Sequence, residues 1–103
     1  YGAYHDIRPV IARQSKIRTW DIVGPVCETG DFIGTEREMS EPQAGDLLAV
    51  YTAGAYGATL GSTYNTRRLA PEILVTGDQY HIVRQRPAYE DMLALESIPE
   101  ELK

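Results

Sequence analysis

EILVTGDQYHIVRQR, residues 72–86, sets two β-branched runs on either side of Thr76-Gly77-Asp78-Gln79. That four-residue centre is rich in residues that tolerate positive φ, so the stretch predicts a β-hairpin. Upstream, PQAGDLLAVY (42–51) places a Gly-Asp turn before a continuous apolar run, which predicts another strand. SKIRTWDIVG (15–24) alternates Ile17, Thr19 and Asp21 against Arg18, Trp20 and Ile22, the period of two that marks a half-buried strand. YHDIRPVI (4–11) reads as extended, and Pro9 confines it to a sheet edge or a strand end. Downstream the pattern changes. AYEDMLALESI spaces Tyr89, Met92, Leu93 and Glu96 as on a helix, with Pro87 in its first turn and Pro99 as its stop. EELK then reads as a frayed tail. The expected fold is mainly β: a small Greek-key-like β-barrel or sandwich with a short C-terminal helix.

A chain of 103 residues is expected to form one small domain. Such a chain buries roughly 60–70% of its unfolded surface, enough for a core with little margin. It opens with Tyr1 rather than Met, as a piece cut from something longer would. No apolar run approaches the roughly 20 residues that span a bilayer, so no membrane partner is expected. A single cysteine excludes an internal disulfide and fits a reducing, cytoplasmic compartment. The net charge of −5, with only Arg67 and Arg68 adjacent, argues against binding phosphate backbones, so no nucleic-acid partner is expected.

Three stretches have the residue types for chemistry. His5, His81 and Cys27 are the soft metal ligands, and none stands at a paired spacing, so no metal site is expected. Cys27 lies in GPVCETGDFIG (24–34), between glycines and directly before Glu28. A lone cysteine is commonly a buried small hydrophobe. This polar setting also suits a functional loop on a rigid scaffold. In AGAYGATLGSTYNTRR (53–68), Gly54 and Gly57 flank Tyr56. The glycines allow close approach by a ligand or by another strand, and neither nucleotide-binding glycine motif is present.

Taken in order, YGAYHDIRP, GPVCETGDFIG, AGDLLAVYTAGAYGATLGSTYNTR, PEILVTG and RPAYEDML resemble the C-terminal domain of the diaminopimelate decarboxylase family, fold-type III pyridoxal-phosphate enzymes. The likeness covers essentially the whole of residues 1–103. It implies a C-terminal β-barrel domain whose own N-terminal TIM barrel is not in this chain. It also implies pyridoxal 5'-phosphate held mainly by that barrel, and an active site completed across a homodimer interface. The reaction implied is decarboxylation of meso-2,6-diaminopimelate, a small amino acid, to L-lysine and CO2.

By this resemblance Cys27 matches the catalytic proton donor to the carbon that has lost CO2. A thiol suits the task because it holds its proton at neutral pH and yields it to a strong carbon base. Glu28 matches the carboxylate that recognises the substrate's distal ammonium. Tyr1 matches a substrate-binding tyrosine, Tyr56 one that contacts substrate and cofactor phosphate, and Tyr64 an aromatic lining the shared site. Relatives acting on ornithine or arginine carry Asp after the cysteine, so Glu28 favours diaminopimelate. The alternatives are a decarboxylase of the ornithine, arginine or carboxynorspermidine type, or a non-catalytic β-barrel interaction module.

Overall fold

The computed structural model describes residues 2–103; Tyr1, a predicted substrate contact, lies outside the described residues. Contacts divide the chain into two compact units, Tyr1–Gly57 and Ala58–Lys103. The structure is mainly sheet with a few short helices, and its strands pair as three separate two-stranded antiparallel ladders.

In the first unit, β1 (Ile7–Pro9) pairs with β4 (Leu48–Val50), and β2 (Ile17–Val23) with β3 (Phe32–Ser40). Pro9 ends its strand, as a residue without an N–H should. β3 is the longest strand, and the sequence pattern missed it. The reason lies in its pairing. Trp20 faces Arg37 while Ile22 faces Gly34, so two steps along β2 match three along β3. The extra residue is a β-bulge near Glu36, whose φ of 52° is left-handed and whose N–H donates to Asp21 Oδ1 at 2.9 Å. A second shift follows between Ile22 and Val23, so no period of two survives along FIGTEREMS.

Ile7 and Met39 are the only buried apolar side chains among the described residues. Ile7 reaches across to β3, where a Cβ on Gly34 would stand 2.9 Å from Ile7 Cδ1. Beside it, Arg37 donates to the His5 carbonyl at 2.7 Å and stacks its guanidinium 4.0 Å from the centre of the Tyr4 ring. Trp20 is half-buried and donates to the Met39 carbonyl at 3.3 Å. The Ile7 and Arg37 contacts join the two ladders of the unit, while the Trp20 bond lies within the β2–β3 ladder.

The predicted Gly-Asp turn before β4 is present, with Gly45 at φ 92°. Arg13 clamps it. Its Nε and a terminal nitrogen each donate to Asp46 at 2.6 Å, while Asp46 also accepts the Gln43 N–H at 2.9 Å.

The second unit holds the hairpin of β5 (Glu72–Thr76) and β6 (Gln79–Arg84), with Thr76 opposite Gln79 and Gly77 at φ 61°. Arg84 pairs with Glu72 across it at 3.0 Å. The glycine-rich stretch from 54, in which the sequence pattern showed no helix, forms the short helix α1 (Gly54–Thr59). Gly57 N–H donates to Ala53 C=O at 2.8 Å, and the alanines at 53, 55 and 58 supply helix propensity. The last helix, α2 (Tyr89–Leu93), is shorter than the predicted span to Glu96. Asp91 takes the Ala88 N–H at 2.8 Å at its start, and Glu96 bonds back only to Leu93, three residues away. The tail is not frayed; Glu100–Leu102 forms a 3-10 turn closed by Lys103 N–H.

The Arg13 guanidinium, and after it the Gln43 amide, hold the Asp46 carboxyl at about 2 instead of 3.8. A depressed folded-state value means stability that is fully present above 3.8 and lost as pH falls through about 2. Asp46→Asn should therefore lower the melting temperature at neutral pH, by a few degrees at most for so accessible a pair. Thermal melts across pH should show the gap closing through that window. A gap that persists at the acid end would count against the clamp.

Candidate functional site

The turn between β2 and β3 is built almost entirely from its own backbone. Asp31 C=O accepts the Gly24 N–H at 2.8 Å and so extends the ladder by one bond. Inside that closure, Glu28 N–H donates to Val26 C=O at 2.8 Å, making a three-residue turn with Cys27 at its apex. Asp31 N–H donates to Glu28 C=O at 3.2 Å, and Phe32 N–H to Gly30 C=O at 2.8 Å.

Two carboxylates hold this backbone from within. Asp31 Oδ2 accepts the Val26 N–H at 3.0 Å, and the Asp31 carboxylate lies where a side chain on Gly24 would otherwise stand. The Glu28 carboxylate folds back on the Gly30 N–H, where a Cβ at position 30 would push it aside. Sequence reading passed over Asp31, although GPVCETGD contains it. An aspartate closing a glycine-bounded loop is the signal, since its short side chain reaches backbone N–H groups nearby.

Cys27 is exposed and in no disulfide, so the buried-hydrophobe alternative does not describe it. Glu28 is exposed beside it. Tyr56 stands on a different element of the same unit, α1, with 71% of its surface accessible. Tyr64 belongs to the second unit, in a 3-10 turn at Tyr64–Thr66 where Asn65 takes a left-handed φ of 59°. Of the histidines that might have served Cys27 as a base, His5 donates through Nδ1 to the Tyr51 carbonyl at 3.0 Å, and His81 is exposed on β6. Among the described residues no three His, Cys, Asp or Glu side chains group as metal ligands would. No helix among them is long and apolar enough to cross a membrane.

Chemically, the loop offers a thiol at the apex of a tight turn and a carboxylate one residue on, both reachable from outside. A thiol can donate a proton and a carboxylate can bind a cation.

Comparison with known proteins shows what the chain is similar to. The family model described as pyridoxal-dependent decarboxylase, C-terminal sheet domain, matches residues 1–54, which include β1 to β4 and the Cys27 loop. A Vibrio cholerae protein named diaminopimelate decarboxylase is 49% identical over 98 residues, covering 95% of this chain and 23% of that protein. One of the same name from Archaeoglobus fulgidus is 37% identical over 103 residues, covering 97% and 24%. The crystal structure of diaminopimelate decarboxylase from M. jannaschii superposes with a TM-score of 0.90 at 31% identity, over 100% of this chain and 24% of that one. The Helicobacter pylori enzyme complexed with L-lysine gives 0.81 at 37% identity, over 92% and 23%. The chain thus spans about a quarter of the length of these relatives. With more than half of its residues matched by the family model, the chain belongs to the pyridoxal-dependent decarboxylases through their C-terminal sheet domain.

Proposed function

We propose that this chain is the C-terminal domain of a cytoplasmic diaminopimelate decarboxylase, and that it lends a thiol and a carboxylate to an active site otherwise built by other polypeptide. The observation that carries this reading is the loop at 24–31, where an exposed thiol and carboxylate sit on a hydrogen-bonded turn in a chain whose relatives bear that name. In the whole protein an N-terminal TIM barrel precedes this domain, the three ladders become parts of a closed β-barrel, and two copies pair so that Cys27 serves the neighbouring copy. The exposed apolar side chains of Phe32, Ile33, Leu47, Ile73, Leu74 and Ile82 support such cover.

The residues here fit pyridoxal phosphate only as a peripheral contact. The Tyr56 hydroxyl, on an accessible ring, can donate to a phosphate oxygen. Neither lysine suits the covalent role, for Lys103 Nζ pairs with Glu100 at 2.8 Å and Lys16 lies in no matching motif. The barrel therefore holds most of the cofactor. When bound, the cofactor supplies the electron sink that lets the carboxyl leave as CO2.

This chain's residues then do the rest. Glu28 releases the Gly30 amide and binds the substrate's distal ammonium, while Tyr1 and Tyr56 orient the substrate and Tyr64 lines the cavity. The Cys27 Sγ–H bond breaks with its electron pair kept on sulfur. The proton goes to the carbon, where the pair left by CO2 forms the new C–H bond. The thiolate recovers its proton from solvent.

In the full-length holoenzyme, Cys27→Ala is expected to lower kcat by about 10²–10⁴-fold, the usual contribution of a general acid, with cofactor absorbance intact. Glu28→Gln is expected mainly to raise KM, roughly 10- to 100-fold, for loss of one charge-assisted bond. Steady-state kinetics on a panel of diamino acids checks both. Unchanged constants would defeat the assigned roles, and a preference for ornithine would overturn the substrate.

The isolated 103-residue chain is expected to show no decarboxylase activity and little affinity for pyridoxal phosphate. Spectrophotometric titration tests this, and tight binding with a shifted cofactor band would refute it.

A further inference from the structure

The Cys27 turn has almost no interior of its own: residues 27–30 are exposed and Val26 is only half-buried. Packing therefore cannot fix the thiol, and polar bonds must. Val26 is gripped at both of its backbone groups. Its C=O accepts from Glu28 N–H at 2.8 Å, and its N–H donates to Asp31 Oδ2 at 3.0 Å. The residue between Val26 and Glu28 is Cys27, so the peptide leading into Cys27 is held by the Glu28 N–H and the peptide before it by the Asp31 carboxylate, which together fix the backbone from which the thiol projects. Gly24 completes the arrangement, because any side chain there would displace that carboxylate.

We propose that Asp31 is a positioning residue for proton delivery by Cys27, acting as the acceptor that fixes the Val26 amide, with Gly24 as the space that admits it. The inference rests on the reading of Cys27 as proton donor. What matters is an oxygen acceptor of aspartate's length, rather than its charge, because the group it holds is a neutral backbone N–H.

The test uses the full-length holoenzyme with D31A, D31N and G24A, each made in wild-type and C27A backgrounds. D31A and G24A are expected to lower kcat by about 100-fold, the scale of a misplacement near 1 Å, without changing cofactor absorbance. D31N keeps the acceptor and is expected to recover most of that loss, coming within about fivefold of wild type. In the C27A background neither D31A nor G24A should lower kcat further, because groups that act as a unit are not additive. A residue that merely supported the fold would cost the same in both backgrounds. Equal losses in the two backgrounds, wild-type kcat in D31A, or D31N as poor as D31A would each overturn the proposal. Should D31A fail to fold, the G24A pair decides alone. If C27A itself turns over at the wild-type rate, the underlying reading has failed and the proposal falls with it; if C27A is impaired and D31A is not, the proposal alone has failed.

Discussion

Gly34 has no side chain, and Ile7 occupies the space that one would need. The rest of the first unit follows from this contact. It lets β1 lie close to β3, and with Arg37 on the His5 carbonyl and the Tyr4 ring it ties the β1–β4 ladder to the β2–β3 ladder. A two-stranded ladder alone is marginal in water, so two that share a buried isoleucine and an arginine clamp hold each other. Through β2 and β3, the same contact sets the two posts between which the Cys27 loop hangs.

How little else is buried bears on function. Beyond Ile7 and Met39, no apolar side chain among the described residues is buried. Burying one such side chain contributes about 1.5–3 kcal/mol, against roughly 1–2 kcal/mol to order each backbone residue. The apolar faces of the hairpin, Leu74 and Val75 with Tyr80 and Ile82 among them, are accessible on this chain alone. A site for decarboxylation works in a water-poor cavity, where fixed charges act most strongly. Under the proposed function a chain with so small an interior furnishes groups to such a cavity, and the dry walls come from polypeptide that covers these faces.

The parts of the fold that could be read directly from sequence are those where one local rule dominates. Thr76-Gly77-Asp78-Gln79 could only be a turn between two β-branched runs, and Pro9 could stand only at a sheet edge or a strand end. β3 stayed hidden because bulges near Glu36 and Ile33 break its alternation, and a bulge is specified by the partner strand, through the Asp21 carboxylate in this case, which no local pattern contains. α1 was obscured by its glycines, which signal a bend unless the alanines between them are weighed as helix formers. At the site, the thiol–carboxylate pair was legible from its residue types and from family resemblance. Asp31 was not, because its meaning depends on which amide it meets after the loop has closed.

That last point explains how the loop is built. Under the proposed function the loop enters another polypeptide's cavity, and such a segment cannot hold its shape by burying its own apolar groups, since they would have to leave one interior for another. Short-range polar bonds avoid the conflict. Val26 amide to Asp31, Glu28 amide to Val26 carbonyl and Gly24 amide to Asp31 carbonyl all close within the loop, and each is equally good whether the outer face meets water or protein. Under the proposed function the thiol is then pre-oriented before its surroundings assemble, so little ordering cost falls on the reacting complex. The Glu28 carboxylate is the exception that fits the same logic. It rests on the Gly30 amide, a neutral donor within its own loop, and an ammonium group at the same oxygens makes the stronger, charge-assisted contact once water is excluded.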